Sequence, residues 1–378
     1  MNILFISNDP GILTEGSAVR MRMRAYADEV ARQGGVLHIV MRSAQRIEHT
    51  DGPLMLHGIP AGRLSMLWKI PAAARALIRE QNISIVSAQD PFEHGWVAAR
   101  ALRGTGAKLH IQVHTDFLSQ WFVRGHMYRS PRVRMPLLNR FRQWMAGGVL
   151  RKAQGIRTVS ERVKRSMQEK YGSAIPEPSV IPIYVSPEAP AAIPLPPHPF
   201  TFALIAVGRL EPEKRFEDVI AAVNRLKDAY PVLGVIIVGE GRERPRLERM
   251  ARKLGLTDRV MFLGARADAR ALMASAQAFV QTSAYEGYGM TLIEAALARV
   301  PIVTSDVGIV GEVFRGYKEV LSAPVADPTN FAAHIAWLIE DQEARHELAL
   351  SAEARAKEHL AATDSSPRAV IQDMMRLI

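Results

Sequence analysis

Six of the fourteen residues from Ser186 to Pro199 are proline: Pro187, Pro190, Pro194, Pro196, Pro197 and Pro199. Proline lacks an amide hydrogen and holds φ fixed, so this stretch can neither pair as a central strand nor continue a helix; it reads as a stiff linker. At 378 residues the chain is long enough for two domains of ordinary size. The linker therefore predicts an N-terminal domain over 1–186, a connector over 187–199, a second domain over 200–360 and a C-terminal helix over 361–378 that packs back on the first domain.

On both sides of the linker, short apolar runs alternate with helical periodicity. The first half reads as strands at Asn2–Ser7, Val36–Met41, Ile83–Ser87, Lys108–His114, Gln154–Ser160 and Ser179–Tyr184, with helices near Ser17–Gln33 and Phe92–Arg103. The second reads as strands at Thr201–Val207, Val232–Val238, Val260–Leu263, Ala276–Gln281 and Pro301–Thr304, with helices at Lys214–Asp228 and Arg242–Leu254. Asn330–Leu360 reads as a long helical region broken near Asp341, and a last helix falls within Pro367–Ile378. This rhythm predicts an α/β protein of two parallel, doubly wound sheets, whose ligands bind at the carboxyl ends of the strands.

Composition narrows the chemistry. There is no cysteine, which excludes disulfides, thiol nucleophiles and thiolate metal sites. The N-terminal apolar run stops at Ser7 and lacks a basic start, and no run approaches the ~18 apolar residues of a spanning helix. A soluble, cytoplasmic protein is the expectation. Net charge is +10, and residues 1–190 hold 26 Lys and Arg against 14 Asp and Glu. The second half holds 22 against 24, so the entire positive excess lies in the first half, which is expected to meet something anionic.

The chemical signal is concentrated in Tyr285–Pro301, Y-E-G-Y-G-M-T-L-I-E-A-A-L-A-R-V-P. An apolar strand precedes it and helical periodicity starts after Met290. Strand, glycine loop and helix start bring backbone amides and a positive helix end toward an anion. Glu286 in the loop and Glu294 one turn into the helix would then accept hydrogen bonds from hydroxyls on groups attached to a phosphate. Glu294 has a second reading, since Thr291-Leu-Ile-Glu294 also fits a capping box. Upstream, Arg209 and Lys214 follow the first strand of the second half in Val207-Gly-Arg-Leu-Glu-Pro-Glu-Lys. Two cations there could neutralise a diphosphate, or could simply be a solvated helix start.

The Glu286-x7-Glu294 spacing, together with Arg209-x4-Lys214, resembles retaining glycosyltransferases of family 4. The resemblance implies the GT-B architecture: two doubly wound Rossmann-like domains facing across a cleft. It implies that Glu286 holds the transferred sugar, Glu294 the ribose, and Arg209 and Lys214 the diphosphate, assisted by the loop Gly287, Tyr288, Gly289, Met290 and Thr291. It places Gly239 and Gly241, in Val238-Gly-Glu-Gly, along the nucleotide pocket, and Arg266 where the base is held through backbone. His114 falls where relatives carry a histidine near the donor sugar and acceptor. Gly16 matches a glycine loop, although Glu15-Gly16-Ser17 lacks the glycine pair of many relatives. Ser160 reads as the cap of a helix.

Phe117–Arg165 contains twelve basic residues and one acid, Glu161, with Trp121, Phe122, Tyr128, Phe141 and Trp144 interleaved. Arg124, Arg129, Arg132, Arg134, Arg140 and Arg142 are the candidates for an anionic membrane surface. A solvated helix face is the plain alternative. Single-stranded nucleic acid fits the composition too, but no nucleic-acid motif accompanies it.

The expected function is transfer of a sugar from a UDP- or GDP-sugar to a hydroxyl of a glycan or lipid-linked acceptor with retention. The donor is a co-substrate, and no cofactor is expected. No Asp-x-Asp occurs, so no metal is called for. A peripheral location on the inner membrane face would suit such an acceptor. Alternatives are a nucleotide-sugar epimerase of the same architecture and a non-catalytic basic surface-binding protein.

Overall fold

The computed structural model describes residues 1–62, 64–124 and 137–378. Tyr128, Arg129, Arg132 and Arg134 lie outside that range, as does the side chain of Arg124. The chain divides into two compact units: 1–118 with 135–182 and 364–378, and 119–134 with 183–363.

The first unit contains β1 (Asn2–Ile6), α1 (Ala18–Arg32), β2 (Leu37–Ser43), β3 (Ile47–Asp51), β4 (Leu54–Pro60), α2 (Met66–Glu80), β5 (Ile83–Ala88), α3 (Glu93–Ala101) and β6 (Lys108–Val113). A short α4 (Gln120–Arg124) falls in the second unit, after which α5 (Leu137–Leu150), β7 (Gly155–Thr158), α6 (Glu161–Tyr171) and β8 (Ser179–Val180) complete the first. Its sheet runs β3-β4-β2-β1-β5-β6-β7-β8 and is parallel except for β3, which pairs antiparallel with β4. The strand order reverses between β1 and β5.

The hairpin β3–β4 and helix α2 are additions to the sequence expectation. Strand β3 is Ile-Glu-His-Thr-Asp, an edge strand with an exposed middle and hence no apolar alternation to read. Helix α2 carries Pro71 in its interior, yet buries Met66, Ile70, Ala74 and Ile78 at helical spacing. Strand β8 stops at Val180, shorter than the expected Ser179–Tyr184, because Ile181 and Pro182 turn their carbonyls to the Arg157 side chain.

The second unit holds β9 (Phe202–Val207), α7 (Phe216–Leu226), β10 (Leu233–Val238), α8 (Arg244–Lys253), β11 (Val260–Gly264), α9 (Ala269–Met273), β12 (Ala278–Gln281), α10 (Met290–Leu297), β13 (Ile302–Ser305), β14 (Leu321–Ala323), α11 (Pro328–Glu340) and α12 (Gln342–Ala362). Its sheet is wholly parallel in the order β11-β10-β9-β12-β13-β14. This is the dinucleotide-fold order, with the reversal between β9 and β12. Leu204, Val235, Ile237 and Val280 from the strands meet Val219, Leu247, Phe331 and Ile335 from the helices in one core. The helical break falls at Asp341, which caps α12 by accepting from the Ala344 amide.

The last helix, α13 (Pro367–Met375), packs on α1. Val370, Ile371 and Met374 join the first unit's core beside Ile3, Phe5 and Tyr26. Each such buried side chain contributes about 1.5–3 kcal/mol. Met374→Ala removes a fully buried side chain and is expected to cost about 2–5 kcal/mol, read as a lower urea midpoint. An unchanged midpoint would show that α13 is not part of that core.

Candidate functional site

In the second unit, the loops leaving β9 and β12 emerge on either side of the strand-order reversal. Adjacent parallel strands place them side by side, since Leu204 and Ile205 register with Ala278 and Phe279. Lys214 Nζ, from the first loop, lies 2.5 Å from Glu286 Oε1 in the second. Both side chains are largely buried, and the Ser283 hydroxyl donates to the same oxygen at 2.7 Å.

The Lys214 loop is rigid for identifiable reasons. Pro212–Lys214 forms a 3-10 turn, and Arg215 then adopts the left-handed conformation at φ 49° before α7 starts at Phe216. Lys214 thus ends a turn instead of beginning the helix, as its sequence position suggested. The strained Arg215 is compensated by two hydrogen bonds to Asp218, at 2.7 and 2.9 Å, within a buried pair. The Thr282 hydroxyl reaches the carbonyls of both Lys214 and Arg215, and the Ala284 amide donates to the Glu213 carbonyl at 2.7 Å. The loop after β12 therefore holds the loop after β9 in place. Arg209, by contrast, is largely exposed and reaches Glu213 at 3.3 Å.

Glycines set the rest of the geometry. A Cβ on Gly239, at φ 144°, would sit 1.8 Å from the Gly208 carbonyl oxygen, and one on Gly241 would sit 2.4 Å from that of Leu210. These glycines let the loop after β10 pack against the loop after β9, where Leu210 N donates to Glu240 O at 2.8 Å. Gly289, left-handed at φ 98°, precedes α10. The capping-box reading of Thr291 and Glu294 does not hold, because the cap position belongs to Gly289. The Thr291 hydroxyl instead donates to Gln281 Oε1 at 2.6 Å. Gly287 lies in the loop before α10, and Met290 opens the helix, whose first amides have no partner within it.

Tyr288 turns inward. Its ring is buried and its hydroxyl meets His359 of α12 at 2.9 Å, so its side chain anchors the loop from behind. Glu294 lies 4.0 Å from Arg270 Nε. Burial pushes the Glu294 carboxyl above the ordinary glutamate range, and Arg270 opposes this only in part. Arg270 also donates to the carbonyls of Ser186 and Glu188 in the proline-rich linker. Arg266 follows β11, with its exposed guanidinium paired to Asp268. Among the described residues no three His, Asp or Glu side chains group as a metal site.

The first unit has its own polar cluster at the carboxyl ends of β5 and β6. His114 Nε2 is buried without a hydrogen-bond partner, and so are Gln89 Nε2 and His94 Nε2. Burial, then the nearby cations Arg157 and Arg22, hold the His114 pKa down to about 3, which keeps its imidazole neutral. His94 pairs with Asp90, which raises the imidazole pKa against the effect of burial. Gly16 sits in an exposed left-handed turn at φ 72°, just ahead of Ser17, whose hydroxyl caps α1. Ser160 caps α6.

Ser283, Arg270, Asp90 and His94 carry no motif in the sequence: Ser283 and Asp90 follow β12 and β5, Arg270 and His94 lie in α9 and α3, and only folding supplies their partners. Position after a strand was the available signal, and it is shared by many residues without such partners.

Two family models match this chain: Glycosyltransferase Family 4 over residues 19–188, and Glycosyl transferases group 1 over residues 199–355. Glycogen synthase of Mycobacterium tuberculosis is 37% identical over 155 residues, which span 40% of this chain and 37% of that protein. The 2-deoxystreptamine glucosyltransferase of Streptomyces kanamyceticus is 27% identical over 68% of this chain and 72% of its own length. Among solved structures, sucrose-phosphate synthase from Thermosynechococcus elongatus superposes with a TM-score of 0.81 at 18% identity, covering 100% of this chain and 98% of that one. Anabaena HepE in complex with UDP-glucose gives 0.75 at 20% identity, with the same coverage. These likenesses establish the GT-B fold.

The raised Glu294 pKa makes a directional prediction. A carboxyl whose folded pKa exceeds its unfolded one contributes stability that is lost as pH rises from about 4.5 through the folded value. Glu294→Gln is therefore expected to melt above the wild type at pH 7 and together with it near pH 4. Equal melting at both pH values would show that the carboxyl is not strained by burial.

Proposed function

The chain belongs to glycosyltransferase family 4, and from that premise we propose that it moves a hexosyl group from a UDP- or GDP-sugar to a hydroxyl of a glycan or lipid-linked acceptor, retaining the anomeric configuration. The observation that carries this reading is the Lys214–Glu286 contact, which brings a cation and a carboxylate to the carboxyl ends of β9 and β12. Ligands of doubly wound sheets bind at that reversal point.

The roles follow from the chemistry of each group. Lys214 and Arg209 take up the charge of the donor diphosphate, with the first amides of α10 beside them. Glu286 accepts hydrogen bonds from sugar hydroxyls once Lys214 turns to phosphate oxygen. Glu294, short of a full ionic partner, accepts from the ribose hydroxyls. The bond between the anomeric carbon and the β-phosphate oxygen breaks, and the departing diphosphate takes the electron pair. The acceptor oxygen attacks the same face and passes its proton to that phosphate. This route calls on two cations in place of a metal, in keeping with the lack of an Asp-x-Asp motif.

On the first unit, the unpaired nitrogens of Gln89, His94 and His114 are where we place recognition of acceptor hydroxyls. A neutral His114 suits hydrogen bonding to a hydroxyl without drawing a counter-ion. The glycogen synthase and glucosyltransferase relatives support a hexosyl donor, and the HepE complex with UDP-glucose supports a uridine nucleotide.

A panel of nucleotide sugars screened by thermal shift would identify the donor. Lys214→Ala or Glu286→Ala is expected to abolish that shift or lower turnover about 10²-fold or more, the scale of losing one transition-state stabiliser, with the fold kept. Wild-type transfer by either variant would overturn the assignment.

A further inference from the structure

Two cavities open on the first unit, one of about 270 Å³ between α3 and α5 and one of about 390 Å³ between α5 and α6. The first gathers Arg100, Arg103 and Lys152 around Trp96, and the second gathers Arg140 and Lys170 around Tyr171. Trp144 and Arg151 line both, so the two form one trench across α5. No Asp or Glu lines either cavity.

These cations rest on aromatic faces. The Arg100 guanidinium lies 5.3 Å from the Trp96 ring centroid, and that of Arg151 lies 5.8 Å from Tyr171. Arg142 on the same helix behaves differently: it pairs with Glu93 at 2.9 Å, and so adds no uncompensated charge. The outer face of α5 also exposes Leu138 by 55%, Phe141 by 51% and Trp144 by 73%, three apolar residues spaced one turn apart. Phe141 and Trp144 stack at 5.6 Å with their planes tilted by 30°. A row of exposed apolar side chains costs free energy in water unless something covers it.

We propose that this trench is a docking surface for an anionic bilayer. Lipid phosphates occupy the two cavities, while Leu138, Phe141 and Trp144 enter the interfacial layer beside them. The pairing of Trp with Arg and Lys around one amphipathic helix is the combination that favours a headgroup region, where an indole needs one dry and one wet side. Charge complementarity selects anionic over zwitterionic lipid. Among the described residues no helix is long and apolar enough to cross a membrane, so contact of this kind would be at the surface. The surface shares no residue with the proposed donor site.

The test is co-sedimentation of the full chain with phosphatidylcholine vesicles prepared with and without phosphatidylglycerol. The wild type is expected to pellet only with the anionic vesicles and to be released by salt. Trp144→Ala, and separately the pair Arg103→Ser and Lys152→Ser, should each lower the bound fraction about tenfold. Their melting curves and nucleotide thermal shifts should match the wild type. Equal binding to neutral vesicles, or undiminished binding by both variants, would overturn the proposal. So would release by millimolar inorganic phosphate or by a short single-stranded oligonucleotide, since either would make the trench a site for a soluble anion. Failure of the donor reading would appear in the nucleotide shifts alone.

Discussion

The contact between Lys214 and Glu286 ties together the two loops that flank the strand-order reversal of the second sheet. Neither side chain would be stable there alone, because a largely buried charge without a partner is expensive. Pairing offsets that cost, and the backbone around them is fixed by Thr282, Ala284 and the Arg215–Asp218 clamp. The site thus maintains opposite charges side by side at modest cost. A ligand that is anionic at one end and rich in hydroxyls at the other can satisfy both groups at once, replacing one ion pair by two sets of directed hydrogen bonds. Arg209, exposed and paired among the described residues with Glu213 alone, is the cation that can move first.

A second network of comparable depth organises the first unit. Arg157 is among its most buried side chains, donating to the carbonyls of Ile181 and Pro182 and to Gln112 Oε1 at 2.8–2.9 Å. Gln112 continues to Ser87, Ser87 to His110, and His110 to Asp373 of the C-terminal helix at 3.1 Å. The chain of bonds runs under the carboxyl ends of β5, β6 and β7. Burial first, and then the neighbouring Arg157 guanidinium, keep His114, the first residue past β6, neutral.

The parts of this arrangement legible in the sequence are those set by local chemistry. Apolar runs between glycine loops give the parallel strands. The spacing of Arg209, Lys214, Glu286 and Glu294 is legible because the first three lie in loops that leave strands and Glu294 lies in the helix that follows one of those loops. What escaped is set by tertiary contact. The left-handed Gly289 displaces the helix cap from Thr291, and no pattern of residue types distinguishes the two. The left-handed Arg215 ends a turn that periodicity alone extends into α7. Ser283 and Arg270 matter only through the carboxylates they face. The polar edge strand β3 and the proline-bearing α2 each contradict local propensity and are stabilised by neighbours.

Charge shows the same division between what composition states and what folding decides. The excess of basic residues in the first half is plain from the sequence, but its destination is not. Folding commits Arg157 to a buried hydrogen-bond network, Arg142 to Glu93 and Lys164 to Glu177, so these contribute to architecture. Arg100, Arg103, Arg140, Arg151, Lys152 and Lys170 form no ion pair among the described residues, and they line one trench with two tryptophans. Self-repulsion of six gathered cations opposes folding, and neutral side chains there would relieve it. A surface that keeps such a cost beside exposed aromatic rings is best accounted for by an anionic partner that removes it.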